Sequence, residues 1–150
     1  MDRQHPRDLF DVKLLLENEG ITDDIKYGFL VALISHMRPI NEVIAPQMID
    51  QHQAFETQFS GMANIPFSYE DYVNTRLRLI ENISSALTAD DKQFLVSFKE
   101  GNPDWDKFAV KSAQDLPAVQ WKLRNIMKLK EANPGKHKTM VKVLKEKLVI

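Results

Sequence analysis

Two aspartates three residues apart, Asp8 and Asp11, sit among cations in the stretch Pro6-Arg7-Asp8-Leu9-Phe10-Asp11-Val12-Lys13, just ahead of an apolar run. Carboxylates at that spacing can supply oxygen ligands to a hard cation, or accept a proton opposite a phosphate. They can also be ordinary surface groups. Acids in the first turns of a helix complement its macrodipole by about 0.3–1 kcal/mol, and Asp11 has Arg7 and Lys13 within reach as ion-pair partners. Spacing alone favours this surface reading. The rest of the sequence offers little competing chemistry. His5, His36, His52 and His137 show no metal-ligand spacing, and all four read as surface or capping residues. No G-x-S-x-G, P-loop or G-x-G-x-x-G occurs. Asp104-Trp105-Asp106 follows Asn102-Pro103 and reads as part of a turn. Trp121, among cations, could stack on a nucleobase, although a half-buried tryptophan on an amphipathic helix is commoner.

The elements that would position these residues are helices. Pro6 suits a first helical position, because its ring presets φ and its missing N–H would be unpaired there anyway. A helix is predicted from Pro6 to about Glu19, stopping at Gly20, with Asp8 and Asp11 on one face. Thr22 is a good N-cap for a second helix whose core face is Ile25, Phe29, Leu30, Leu33, Ile34 and Met37. Arg38-Pro39 ends it. A short turn over Ile40 to Ile44 and a weak helix from Asp50 to Gly61, carrying Phe55 and Phe59, come next. Ser68 with Asp71 opens a long helix with Val73, Leu77, Ile80, Ile83, Ala86 and Leu87 as its buried stripe, and Thr88 with Asp91 opens another at once. That helix carries Phe94, Leu95 and Phe98 and ends at Gly101. Trp105 and Phe108 anchor an irregular stretch. Pro117 starts a helix with Val119, Leu123, Ile126, Met127 and Leu129, which stops at Asn133-Pro134-Gly135. A final helix carries Met140, Val143, Leu144 and Leu148. No segment alternates as a strand would. The predicted fold is all-α, one compact domain over residues 1–150 with about six to eight helices and no significant sheet.

Composition narrows the class. A chain of 150 residues with 43% hydrophobic and 27% charged residues is ordinary for one globular domain and unlike a disordered chain. With no cysteine it has neither disulfides nor thiol catalysis. The opening Met1-Asp2-Arg3-Gln4-His5-Pro6 has no apolar leader and no apolar run approaches the length of a membrane span, so a cytoplasmic location and no membrane partner are expected. Charge is uneven. From Val119 onward nine Lys/Arg face two Glu, whereas the first 118 residues hold eleven bases and nineteen acids. A basic end on an acidic body suggests a polyanion or an acidic surface as partner. Lys122, Arg124, Lys128, Lys130, Lys136, Lys138 and Lys142 are the nucleic-acid-binding candidates, and a plain solvated helix face is the alternative.

The stretch His5 to Lys13 resembles the last conserved motif of the AbiEii/AbiGii toxin family of nucleotidyltransferases. Further stretches resemble the same family: Leu33-Ile34-Ser35-His36 with Arg38-Pro39-Ile40, Phe67-Ser68-Tyr69-Glu70-Asp71-Tyr72, Leu87-Thr88 through Asp91-Lys92, Asn102-Pro103-Asp104-Trp105, and Leu116 to Leu123. The likeness runs from about His5 to Leu129. It implies a helical C-terminal domain that, in complete members, follows a nucleotidyltransferase fold carrying a Gly-Ser loop, an Asp-x-Asp metal pair and a lysine motif. It implies a toxin of toxin–antitoxin and phage-defence systems. By the same likeness, Asp8 is the active-site acid of the last motif, Asp11 its second carboxylate, and Arg7 and Lys13 help orient the segment.

None of the family's upstream motifs lies within these 150 residues, so the isolated chain is expected to be inactive. No metal site and no cofactor is expected in this chain alone. Mg2+ and a nucleoside triphosphate are expected only for a complete family member. Expected partners are an antitoxin, or a missing catalytic half, and RNA such as tRNA. The rival reading is a helical protein-interaction module that holds an antitoxin or another partner. A self-sufficient small enzyme would need a polar cleft the sequence does not locate.

Overall fold

In a computed structural model, which describes residues 4–150, eight helices and no strands occur among the described residues. Met1 to Arg3, part of the stretch from which the lack of a leader was read, lie outside them. The helices are α1 (Pro6–Asn18), α2 (Asp23–Ser35), α3 (Ile40–Ile44), α4 (His52–Gln58), α5 (Tyr69–Ala86), α6 (Ala89–Glu100), α7 (Pro117–Ala132) and α8 (Pro134–Leu148). Two 3₁₀ turns, Trp105–Lys107 and Lys111–Asp115, join α6 to α7. Among the described residues no helix is long and apolar enough to cross a membrane.

Local chemistry sets the boundaries. The Thr22 hydroxyl accepts from the Ile25 amide at 3.3 Å. Ser68 with Asp71 and Thr88 with Asp91 form complete capping boxes, each aspartate accepting from the backbone N–H of the capping residue. The Thr88 cap of α6 follows the end of α5 with only Leu87 between them, so the chain leaves one helix and enters the next within two residues. Gly101 closes α6 at φ 85°, a left-handed position where a Cβ would be strained.

Packing yields two apolar clusters. The larger joins α2, α3, α6, α7, α8 and the 3₁₀ segment through Leu30, Leu33, Ile34, Ile40, Phe94, Leu95, Phe98, Phe108, Val119, Ile126, Leu144 and Leu148. Phe94 and Phe108 stack at 4.2 Å between ring centroids, with Trp105 5.2 Å from Phe94, so both expected anchors are in place. The smaller cluster is aromatic. Leu9 of α1 sinks among Phe55, Phe59 and Tyr72, with Phe10, Phe67 and Tyr69 around them.

Three details of the expected burial differ. Met37 is 79% exposed, because α2 ends at Ser35 before that position can face the core. The buried face of α5 is Tyr72, Thr75, Arg76 and Leu79, while Leu77 is 52% exposed. Helical spacing is kept, but the face is rotated towards residues with hydrogen-bonding partners below it. His137 is buried on α8 rather than at the surface, and its Nε2, 2.9 Å from the Lys99 carbonyl, serves the last turn of α6.

Candidate functional site

The start of α1 is held from three sides. His5 caps the helix: its Nδ1 accepts from the Arg7 amide at 3.2 Å. Nδ1 being an acceptor, Nε2 carries the hydrogen and donates to Gln58 Oε1 of α4 at 2.9 Å. Pro6 is buried and Leu9 packs within the aromatic cluster, where Phe10 lies 5.6 Å from Phe59 and 5.4 Å from Phe67. The residue before the cap is fixed as well. Gln4, at a positive φ of 49°, accepts the Tyr72 hydroxyl on its backbone carbonyl at 2.7 Å. Its side chain donates to the Gln47 carbonyl at 2.8 Å and accepts from Arg76 Nη1 at 2.9 Å. Arg76 Nη1 also donates to the Ile49 carbonyl at 2.7 Å. This buried knot, made by Gln4, Tyr72 and Arg76, ties the chain entering α1 to α5 and to the α3–α4 connection. The Tyr72 hydroxyl is pushed above its ordinary pKa by burial, with the Arg76 charge opposing, so it stays a hydroxyl donor.

On this base the motif residues separate. Asp8 is half-buried and lines a polar recess of about 280 Å³ with His5, Arg7 and Gln58. Arg7 is exposed at the same recess, and its Nη2 reaches Met62 Sδ at 3.9 Å. Asp11, one turn on, is exposed. The ion pair that sequence suggested between Asp11 and Lys13 does not form: Lys13 pairs with Glu17 at 2.9 Å, four residues on. Lys13 and Glu17 line a separate groove of about 510 Å³ with Asp71, Asn74, Arg78 and Glu81 of α5. The structure therefore brings Arg7 and Asp8 together, leaves Asp11 beside them on open surface, and turns Lys13 away.

A divalent cation needs more than this arrangement supplies. Mg2+ demands a near-octahedral oxygen set, and no group of three or more His, Asp or Glu able to hold a metal gathers among the described residues. Asp8 and Asp11 are at most part of such a set. Asp104 and Asp106 do not provide another. Asp104 donates its amide to the Ser97 hydroxyl, and Asp106 is a surface acid 3.3 Å from Lys111.

The basic end divides too. Lys122, a nucleic-acid candidate by sequence, is only 6% exposed and its ammonium donates to the carbonyls of Leu33, His36 and Arg38 at 2.8, 2.7 and 2.9 Å. It closes the C-terminus of α2 from inside. The reason is geometric: position 122 falls one turn from Val119 and Ile126 on the buried face of α7. Burial, aided by the charge of Lys99, lowers its pKa to about 8. Arg124, Lys128, Lys130, Lys136, Lys138 and Lys142 are exposed. Of these, Lys130 also donates to the Glu100 carbonyl at 2.9 Å, and Lys142 lies 3.7 Å from Glu146. Lys138 and Lys142 line a groove of about 490 Å³ with Lys145, Thr139 and Glu100. Trp121 is 52% exposed on the same helix as Arg124 and Lys128.

Sequence reasoning missed Gln4, Gln58, Tyr72, Arg76 and Lys99. Only the four-residue spacing of Tyr72 and Arg76 carried a signal, and a stripe read from aliphatic residues passes over it. Comparison with curated proteins and with solved structures returned no match. The family model described as "Nucleotidyl transferase AbiEii toxin, Type IV TA system" matches residues 1–125. With most of its length matched, motif segment and aromatic clamp included, the chain belongs to the AbiEii nucleotidyl transferase toxin family of type IV toxin–antitoxin systems.

Proposed function

We propose that this chain is the helical C-terminal module of an AbiEii-like nucleotidyltransferase, contributing the family's last active-site motif from α1 and a nucleic-acid-facing basic surface from α7 and α8. One observation supports this reading above the others. Arg7 and Asp8 share a polar recess at the start of a helix whose first turn is fixed by a histidine cap, an aromatic cluster and a buried hydrogen-bonded knot. Such a base holds a carboxylate in one place, which transfer chemistry requires because its rate comes mainly from positioning and charge neutralisation. In this reading Asp8 is the acid presented to the reacting groups and Arg7 faces phosphate oxygens, a geometry its planar fork suits. Asp11 is the second carboxylate, and Lys13 helps orient α1 through the groove it shares with Asp71 of α5.

The two carboxylates do not by themselves make a metal site, so the chain alone is inactive and the remainder of the site comes from elsewhere. The partners that follow are that remainder, an antitoxin, and an RNA such as tRNA, in the cytoplasm and in phage defence. Incubating the isolated chain with Mg2+, labelled nucleoside triphosphates and tRNA is expected to give no transfer, and transfer would contradict the reading. Filter binding of tRNA at two salt concentrations tests the basic surface. Affinity should fall steeply with salt, and Lys138→Glu with Lys142→Glu should flatten the log–log slope by roughly two. Absence of salt-sensitive binding overturns that part.

A further inference from the structure

The two apolar clusters do not merge. Between them, α1, α2 and α5 leave an apolar pocket of about 190 Å³ lined by Val12, Leu15, Ile21, Ile25, Phe29, Leu79 and Ile83. The single polar residue on its wall, Lys26, is spent: its Nζ sits 3.1 Å from Asp23 and 3.6 Å from Asp91 and lies over the Tyr27 ring. Water inside such walls has too few partners to be held, and an apolar cavity of roughly 150 Å³ already accepts a ligand the size of benzene. The pocket opens beside the α1–α2 turn, where Glu19, Asp23 and Asp24 are all exposed and Ile21 stands between them. An apolar seat beside an acidic turn fits an occupant with aliphatic anchors and neighbouring cations, whereas an acidic or uncharged occupant gains nothing from the rim.

We propose that the α1–α2–α5 pocket is a docking site for a basic amphipathic helix of a partner protein, seated by its aliphatic anchors in the pocket and by its cations on Glu19 and Asp24. The site shares no lining residue with the α8 groove and does not depend on the nucleic-acid reading. It adds a partner of opposite charge to a polyanion.

The full chain, labelled on its Ile, Leu and Val methyl groups, is titrated by NMR with a synthetic amphipathic leucine–lysine helix and with its leucine–glutamate counterpart. The lysine peptide should give saturable shifts centred on Ile21, Ile25, Leu79 and Ile83. The glutamate peptide should bind at least about tenfold more weakly. Glu19→Lys with Asp24→Lys, both at exposed positions that leave the fold intact, should weaken the lysine peptide about tenfold. Shifts centred on another face, equal binding of the two peptides, or no saturable binding overturn the proposal. Self-association that perturbs the same methyls without peptide overturns it in favour of a second copy.

Discussion

Lys122 on α7 and Arg76 on α5 are both buried cations that hold a distant segment by its carbonyl groups, and they differ in how completely their donors are used. The three donors of Lys122 meet three carbonyls at the end of α2. Arg76 places Nη1 on Gln4 and Ile49, but its Nε is buried without a partner. A compact ammonium can be matched by one helix terminus, which offers several unpaired carbonyls together. A guanidinium needs acceptors spread around a plane, and the entry to α1 supplies only one side. Lys122 is therefore fully matched within the larger cluster, whose one unmet buried side-chain group among the described residues is Asn41 Oδ1 on α3, while the smaller cluster, which carries the motif, leaves the Nε of its own buried cation unmet and relies on aromatic contacts.

This contrast can be tested by substitutions of decreasing effect. Phe94→Ala in the larger cluster should cost about 3–5 kcal/mol and lower the unfolding midpoint of the whole chain. Phe55→Ala should cost a similar amount but act locally, raising amide exchange first in α1 and α4. If exchange rises equally throughout, the two clusters form one cooperative unit.

Lys122→Met keeps the apolar stem but orphans three carbonyls. At roughly 1–3 kcal/mol each, less the recovered cost of burying a charge, a net loss of about 3 kcal/mol is expected by urea denaturation. Arg76→Met orphans fewer acceptors and also removes the unmet Nε, so about 1–2 kcal/mol is expected. Equal losses would show that donor satisfaction is not what separates the two sites.

The pH dependence has the same sign in the two regions but falls in different windows, alkaline for Lys122 and acidic for Asp71. Lys122 titrates near 8 when folded against 10.5 ordinarily, because burial and the charge of Lys99 disfavour its ammonium. Over that window the unfolded chain holds the proton that the folded chain has released, so stability should rise with pH. Urea midpoints near pH 8 and pH 10 should show the rise, and Lys122→Met should diminish it. In the α5 cap, the Ser68 amide and hydroxyl hold the Asp71 carboxyl below its ordinary value. Its contribution is present above the ordinary carboxylate pKa and disappears as pH falls through the depressed one, a loss that Ser68→Ala should shrink.

The smallest effect expected is at the caps themselves. Thr88→Ala should cost about 1 kcal/mol and exceed Ser68→Ala, since its partner Asp91 is buried and tied to Lys26.

Much of the helical plan was legible in the residues. Pro6, Thr22, Ser68-Asp71, Thr88-Asp91 and Gly101 mark boundaries by chemistry confined to one turn, and the structure keeps every one. Periodicity also located Leu30, Leu33, Ile34, Phe94 and Phe98 in the core, because apolar spacing needs no knowledge of the partner helix. It misjudged α5 and α7. There the buried faces include Tyr72, Thr75, Arg76 and Lys122, whose burial depends on carbonyls and on Gln4 from distant parts of the chain.

The candidate site divides along the same line. That Arg7 and Asp8 open a helix followed from Pro6 and the residues after it. That Asp8 shares a recess with Gln58, that Lys13 turns to Glu17 and that Lys122 leaves the basic surface were settled by folding alone. Sequence by itself determined which segments are helical and where they stop, since those preferences act over three or four residues. Only tertiary structure decided which polar groups are buried, because a buried donor is tolerated only where acceptors from elsewhere in the chain surround it.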